Sequence, residues 1–255
     1  MGIYLNPKYT NFKETLAADI YVDKTMMLAE LNKFIDKGNK YICVSRPRRF
    51  GKTIAGNMIS AYYSRGCDSR ELFSGLKIAK SESFNEKLNK YNVIKLDINS
   101  EYQNSLDREH LIEQITEDVK REMRAEFTTV DIADEDSIAK AMVRVYEATG
   151  QTFVIIMDEY DVLVREQVSE ELFANYLSFL NGLFKSDTVR QAISLAYITG
   201  ILPVIRDRIQ SKLNNFREYT ILDAGSLAPF VGLTIDEVKS LCDEYSMDFI
   251  ECQDR

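Results

Sequence analysis

The chain lacks any long hydrophobic segment. Its longest fully apolar run covers only the five residues 153–157 of 255, whereas a helix that spans a bilayer needs about 20 predominantly apolar residues. The first sixteen residues, MGIYLNPKYTNFKETL, contain polar side chains throughout and no apolar core of a signal peptide. We therefore expect a cytoplasmic protein with no membrane partner.

Cysteine and histidine are too few and too scattered for a typical zinc site or disulfide framework. The four cysteines, Cys43, Cys67, Cys242 and Cys252, lie far apart and include no C-x-x-C pair. This favours reduced thiols. The single histidine, His110, lies in an amphipathic helical segment and cannot by itself anchor a metal cluster.

An excess of positive charge is also absent, since 40 acidic residues outnumber 32 basic ones and give a net charge of −8. Proteins that coat nucleic acid non-specifically are more often basic. Four of the seven residues in 46–52 are nevertheless cationic. A local basic cluster on an acidic chain suits a small polyanion better than a long one, although a partner chain could supply further charge.

Strand-like and helix-like segments alternate along the chain, which predicts an α/β fold. We expect a three-layer P-loop NTPase sandwich with a parallel sheet of about five strands. The predicted strands are 41–45, 93–98, 153–157, 193–198 and 219–222, and the predicted helices include 54–64, 107–127, 138–148 and 172–184. Strands 41–45, 153–157 and 193–198 are expected to be parallel neighbours.

Helix-capping residues mark both ends of the chain. Asp23 can cap a helix over 24–36. Thr234 and Glu237 form the pattern T-x-x-E of a capping box, which predicts a helix over 235–245. Because no strand pattern follows, this last helix is expected to belong to a small helical appendage.

The segment from Ser45 to Thr53, SRPRRFGKT, ends like a phosphate-binding loop. The usual pattern is G-x-x-x-x-G-K-[ST], in which the lysine reaches the β- and γ-phosphates and the hydroxyl binds Mg²⁺. A preceding strand and a following helix support this interpretation, since N–H groups at a helix N-terminus attract anions. Here Arg46 and Pro47 replace the entry glycine, so the entrance must be built differently.

These residues predict a nucleotide site with Mg²⁺. Gly51 lets the backbone approach a phosphate closely, and Thr53 is a candidate metal ligand. The expected nucleotide-binding residues are Arg48, Arg49, Phe50, Gly51, Lys52, Thr53 and Ile54. Arg48 and Arg49 either stabilise charge in the transition state or face a partner or nucleic acid.

Two carboxylates follow the apolar strand 153–157. In such a site Asp158 would orient the hydration shell of Mg²⁺, and Glu159 would polarise the attacking water, with Lys52 as the catalytic lysine. The alternative is that the pair merely ends a buried strand with solvated charge. Thr199, at the end of another strand, is either a sensor of the γ-phosphate or a backbone cap. Asp97, near the end of strand 93–98, could likewise have either a functional or a structural role, and the structural role is favoured.

Four segments in this order, YVDKT, RPRRFGKT, VIIMDEYD and YITGI, resemble the bacterial AAA-ATPase-like family of P-loop proteins. The resemblance extends over residues 21–245 and includes an arginine in place of the entry glycine. It implies ATP as the nucleotide. Members resemble STAND-type ATPases and commonly carry a PD-(D/E)XK nuclease-like domain after the ATPase part.

The sequence departs from that family in two respects. Similar proteins place an arginine directly after TGIL, where this chain has Pro203, and Arg206 and Arg208 come later. A sensor arginine in this segment is therefore in doubt. The nuclease-like half is missing, and the lid is expected to stop after about one helix, as in a truncated product or fragment. We predict a P-loop ATPase-like domain over 1–225 and the start of a helical lid over 226–255.

Two functions fit these observations. One is a Mg²⁺-dependent ATPase with a regulatory or nucleic-acid-linked role, and the other is a nucleotide-dependent switch with little hydrolysis. Besides ATP, a protein partner or a second copy of the chain is expected. Binding of nucleic acid is expected to be weak and to use Arg46, Arg48 and Arg49, without nuclease activity.

Overall fold

The computed structural model describes residues 2–203 and 213–253. Its strands are β1 (Tyr41–Ser45), β2 (Asn92–Asp97), β3 (Phe153–Asp158), β4 (Ile193–Gly200) and β5 (Arg217–Tyr219). The α-helices before β3 are α1 (Thr10–Leu16), α2 (Met26–Asn32), α3 (Lys52–Tyr63), α4 (Arg70–Ser74), α5 (Phe84–Lys87), α6 (Ile98–Asn104), α7 (Leu111–Glu126) and α8 (Ile138–Thr149). Those after β3 are α9 (Val162–Arg165), α10 (Glu170–Phe184), α11 (Asp187–Ala192), α12 (Ile235–Glu244) and α13 (Phe249–Gln253).

The five strands form one parallel sheet in the order β2-β3-β4-β1-β5. This confirms the predicted α/β fold and the parallel pairing of β4 with both β1 and β3. Ser45 pairs with Gly200 at the carboxyl ends of β1 and β4, and Asp97 pairs with Asp158 at those of β2 and β3. The polar residues that follow these strands are therefore gathered at one edge of the sheet.

Helices cover both faces of the sheet, as the fully apolar strands predict. Alternate residues of each strand face opposite cores, so Ile155 and Met157 belong to one core and Val154 and Ile156 to the other. Helices α1 to α5 pack on one face and α6 to α11 on the other. Since α3 directly follows β1, the start of α3 lies at the carboxyl edge of the sheet.

Two predicted elements have different bounds in the structure. Helix α2 begins at Met26, with Thr25 as its N-cap, and ends well before residue 36. Asp23 accepts a hydrogen bond from the Thr25 amide at 2.8 Å and another from the Lys77 amide at 2.8 Å, so it joins two segments and does not cap α2.

The fifth strand ends earlier than the sequence pattern predicts. Strand β5 stops at Tyr219, because the hydroxyl of Thr220 accepts the amides of Leu222 at 3.2 Å and Asp223 at 3.1 Å and thereby forms a turn. Ile221 and Leu222 are 61% and 92% exposed, so their apolar character does not mark a buried strand.

The C-terminal appendage begins with a 3-10 helix, Gly225–Phe230, that packs near α2. The capping box of Thr234 and Glu237 is present at the start of α12, which confirms that predicted helix. The short helix α13 follows it, so the appendage is longer than the single predicted helix. None of the described helices is long and apolar enough to cross a bilayer.

A buried carboxylate fixes the connection between α7 and α8. Burial disfavours the charged form of Asp136, but bonds from Lys140, Arg144 and the Ala133 amide outweigh it and lower the pKa of this carboxyl from 3.8 to about 2. Because the pKa is lower in the folded state, the carboxylate stabilises the fold above pH 3.8, and this contribution is lost as the pH falls towards 2.

We predict that Asp136→Asn lowers the free energy of unfolding at pH 7 by about 1–2 kcal/mol. Urea denaturation at pH 7 and pH 3 should show that the difference from the wild type narrows in acid. The matched control is Asp134→Asn, whose side chain is 95% exposed and pairs with Arg124. That change should cost less than about 0.5 kcal/mol, and equal losses for both variants would contradict the assignment.

Candidate functional site

The loop between β1 and α3 begins with a buried arginine in the place of the usual entry glycine. Arg46 is only 3% exposed. Its guanidinium donates to the carbonyl oxygens of Ser45 at 3.0 Å and Tyr219 at 2.9 Å, which fastens the loop to β5. The Arg46 amide donates to the carbonyl of Gly200 at 3.1 Å. The prediction that Arg46 contributes to a nucleic-acid surface is therefore wrong, because its guanidinium is buried and bonded to backbone carbonyl oxygens.

The second half of the loop turns through two residues with left-handed backbone conformation. Arg49 has a φ of 69° and Gly51 a φ of 75°. Gly51 is the N-cap of α3, and glycine adopts this conformation at little cost. Helix α3 therefore starts at Lys52, with its unpaired N–H groups at the loop, as anion binding requires. Arg48 and Arg49 are exposed.

The side chain of Lys52 reaches back to the first two residues of the loop. Its Nζ donates to the carbonyl oxygens of Arg46 at 3.0 Å and Pro47 at 2.9 Å. Burial lowers the pKa of the Lys52 amino group, and the nearby carboxylates of Asp158 and Glu159 oppose that shift. A phosphate oxygen is a stronger acceptor for an ammonium group than a carbonyl oxygen. The amino group is therefore placed to exchange loop carbonyls for a phosphate.

One buried carboxylate joins the residues predicted from three separate segments. Asp158 ends β3 and is 3% exposed. Its Oδ2 accepts a hydrogen bond from Thr53 Oγ1 at 2.6 Å. Its Oδ1 accepts from the Thr199 hydroxyl and, at 3.0 Å, from the Glu159 amide. The structure therefore brings Thr53, Asp158 and Thr199 into direct contact, and the hydroxyl of Thr199 bonds to a carboxylate instead of capping the backbone.

Glu159 follows this carboxylate with a φ of 49°, an uncommon conformation for a residue other than glycine. Its Oε2 accepts a hydrogen bond from Arg165 Nη2 at 2.7 Å. Arg165 also pairs through Nε with Asp161 Oδ2 at 3.2 Å. The same Asp161 oxygen accepts the amides of Ile201 at 3.0 Å and Leu202 at 2.8 Å. Glu159 is thereby linked to the segment that follows β4.

A cavity of about 540 Å³ adjoins the loop. Four of the predicted binding residues contribute to its lining, namely Arg49, Phe50, Gly51 and Ile54. The other walls come from residues 15–24 near the N-terminus and from residues 230–241 of the C-terminal appendage. Gly232 has a φ of 90°, and a Cβ there would lie 2.9 Å from the Phe50 ring, so the appendage packs closely on the loop.

Lys24 connects the two outer walls of this cavity. Its Nζ donates to the carbonyl oxygen of Pro229 at 2.6 Å and also pairs with Glu237. The same Glu237 oxygen accepts the Thr234 amide at 2.8 Å in the capping box of α12. The YVDKT segment thus fastens the N-terminal wall to the start of α12.

On β2, the two charged residues near the carboxyl edge have different partners. Asp97 accepts hydrogen bonds from the Ser100 amide at 3.0 Å and from its hydroxyl at 2.8 Å, so it caps α6 in the structural role that the sequence favoured. The Lys95 ammonium donates to Asn57 of α3. Burial lowers the pKa of Lys95, and Asp158 and Asp97 oppose this shift.

Sequence reasoning did not select Arg165, Lys95 or the N-terminal cavity wall. Arg165 and Lys95 come close to the site only because of how α9 and β2 pack. No spacing of residues in the sequence predicts their contacts. The YVDKT and VIIMDEYD segments did point to Lys24 and Asp161 as members of a family pattern, without indicating their contacts. The later arginines Arg206 and Arg208 lie outside the described residues.

The chain is similar to one family of known sequences and to solved structures. A family model described as "Predicted AAA-ATPase" matches residues 9–210. No curated protein matches the chain. Among solved structures, Caenorhabditis elegans PCH-2 is similar over 86% of this chain and 45% of its own, with 15% identity and a TM-score of 0.40. The Aeropyrum pernix ORC2 protein, in ADPNP–ADP complexes, is similar over 89% of this chain and 53% of its own, with 10% identity and a TM-score of 0.41.

The chain therefore spans about half the length of these two solved chains. The family match covers most of the sequence and includes the loop, the carboxylates that follow β3 and the threonine at the end of β4. On this evidence the chain belongs to the predicted AAA-ATPase family.

Proposed function

We propose that the chain binds ATP with Mg²⁺ at the loop 46–52 and hydrolyses it. The observation that carries this proposal is the Asp158 carboxylate, which accepts both the Thr53 and the Thr199 hydroxyl beside the buried ammonium of Lys52. A cation, two hydroxyls and a carboxylate thus meet at the N-terminus of α3. This combination suits a phosphate chain with a bound divalent cation.

The donor set of the site fits Mg²⁺. Thr53 Oγ1 and Asp158 Oδ2 lie 2.6 Å apart, so one ion can be approached by a hydroxyl and a carboxylate together. In residues 2–203 and 213–253 no group of three or more His, Cys, Asp or Glu residues is placed to hold a metal ion. This favours Mg²⁺, which uses one or two carboxylates and completes its shell with water and phosphate oxygens. When bound, the ion would neutralise charge on the β- and γ-phosphates.

The protein's own residues would carry the remaining steps. Lys52 would leave the loop carbonyls for the β- and γ-phosphates. Glu159 would accept a proton from the attacking water. Thr199, held by Asp158, would donate to the γ-phosphate or to that water. The Gly51 turn and the first amides of α3 would hold the phosphates.

The cavity beside the loop is the proposed place for the adenine ring. Its lining is mainly apolar and includes Tyr21, Phe50 and Phe230, and such walls suit a flat aromatic base. We propose that residues 226–253 act as the start of a lid over this cavity, because Gly232 packs on Phe50 and Lys24 holds Pro229. Residues 1–225 would then form the ATPase core.

A nucleotide-dependent switch with little hydrolysis is the second candidate. The observation that favours it is the ion pair between Glu159 and Arg165, which engages one oxygen of the proposed base. Arg48 and Arg49 are both exposed on the loop. If the protein has a regulatory role linked to nucleic acid or a protein partner, these two residues would belong to the contact surface.

We predict that Lys52→Ala weakens ATP binding about 10- to 100-fold, because a charge-assisted bond to phosphate is lost. Isothermal titration calorimetry with ATP and Mg²⁺ measures the change. The matched control is Lys33→Ala, whose side chain is 63% exposed and pairs with Glu30. It should bind as the wild type does. No binding by the wild type itself would contradict the proposed site.

Glu159→Gln should lower the rate of phosphate release roughly 10²- to 10⁴-fold, because the amide cannot accept the proton of the attacking water. Its affinity for ATP should stay within about twofold of the wild type, since glutamine retains the shape of the side chain. Single-turnover release of phosphate measures the rate. Equally slow release by both proteins would favour the switch.

Nucleic-acid binding through this chain should be weak and sensitive to salt. A gel-shift series with a short duplex should show complexes at low salt that are lost by about 200 mM, because the contacts are to phosphates. The variant Arg48→Ala, Arg49→Ala should lose them while still binding ATP, and Arg121→Ala, a 72% exposed residue of α7, is the control. A tight complex of the wild type that persists at high salt would show a dedicated nucleic-acid-binding surface. Loss of ATP binding by the double variant would instead assign the two arginines to the phosphates of ATP.

A further inference from the structure

The carboxylate proposed as the base already has a cationic partner. Glu159 Oε2 and Arg165 Nη2 lie 2.7 Å apart, and the two side chains are 25% and 15% exposed. A general base must present a free lone pair to the proton that it abstracts. While this pair persists, one of the two Glu159 oxygens is directed to the guanidinium.

A second anion keeps Arg165 in place. Asp161 is 1% exposed and pairs with Arg165 Nε at 3.2 Å. Asp161 is itself held by the amides of Ile201 and Leu202. A Cβ on Gly200 would lie 2.7 Å from Asp161 Oδ1, so the packing leaves this carboxylate no room to move towards β4.

The backbone of Glu159 is fixed as well. Its amide donates to Asp158 Oδ1 at 3.0 Å, and the next amide, that of Tyr160, donates to the Thr199 carbonyl at 3.0 Å. The side chain of Glu159 can therefore turn without breaking either of these backbone hydrogen bonds. Because Arg165 keeps Asp161 as a partner, releasing Glu159 does not leave the guanidinium without an anion, and release is easier than the breaking of an isolated buried pair.

We propose that Arg165 is a positioning residue that holds Glu159 back from the attacking water and thereby limits the rate of ATP hydrolysis. The inference rests on the proposed function of Glu159 as the base. In this arrangement the guanidinium is shared between Glu159, which reacts, and Asp161, which anchors it. The fraction of molecules with Glu159 released sets kcat, whereas ATP binding at the loop does not depend on it.

The test is a set of variants measured for kcat and KM. Arg165→Met should raise kcat about fivefold, the effect expected when a partly exposed ion pair is removed, and should leave KM for ATP within about twofold. Arg165→Lys, which retains the charge, should stay near the wild-type rate. In the Glu159→Gln background, Arg165→Met should change nothing. Arg121→Met, at an exposed pair with Asp118, controls for the substitution itself.

The outcomes separate this inference from the proposed function. If Glu159→Gln lowers the rate while Arg165→Met leaves it unchanged or lowers it, Arg165 does not restrain the base and only this inference fails. An equal change in both backgrounds would also overturn it, since a purely structural effect does not depend on Glu159. No release of phosphate by either the wild type or Arg165→Met would overturn hydrolysis and the inference together.

Thermal unfolding of each variant shows whether it is folded. If Arg165→Met unfolds, Arg165→Gln retains polar contacts of similar length and replaces it in every comparison, with the same expected rise in kcat. The rise in kcat must again depend on Glu159. If a folded Arg165→Gln protein shows no rise in kcat, the inference is overturned.

Discussion

The hydrogen bonds accepted by Asp158 are the contacts on which the site depends. This carboxylate lies at the end of β3 and receives one hydroxyl from α3 and one from β4. The loop, the acidic strand end and the threonine are distant in sequence, but the carboxylate holds them within a few bond lengths of one another. Any ligand that replaces the Thr53 hydroxyl at Asp158 therefore also changes the environment of Thr199.

The altered entrance of the loop is explained by the order of the strands. Because β1 lies between β4 and β5, the first loop residue is next to both neighbours. Arg46 uses its amide for Gly200 on one side and its guanidinium for Tyr219 on the other. A glycine there would leave the carbonyl at the end of β5 without this donor. The arginine thus fixes the start of the loop through its contacts with β4 and β5, and Gly51 ends the loop with a left-handed turn before α3.

The sequence was sufficient for the fold and for the members of the site that follow strand ends. Periodicity and the buried strands predicted the parallel sheet, and strand ends in such a sheet meet at one edge, so Lys52, Thr53, Asp158 and Thr199 could be grouped in advance. Contacts made by side-chain packing could not be predicted. The burial of Arg46 depends on the position of β5, and the partner of Glu159 depends on how the short helix α9 turns. The apolar pattern places β5 too late in the chain, because Ile221 and Leu222 are apolar but exposed.

The position of β1 in the sheet has a consequence for how the chain acquires its structure during synthesis. This strand is the first to leave the ribosome, yet Tyr41 pairs with Ala196, about 155 residues further along the chain. The apolar segment YICVS therefore stays without its neighbours in the sheet until about 150 further residues have been made. Long loops must close before such contacts form, and pairing between distant strands is in general slow and leaves apolar segments exposed to aggregation. Molecular chaperones that shield such a segment would act before β4 emerges, and any product that ends earlier would lack the Gly200 carbonyl that holds the start of the loop 46–52.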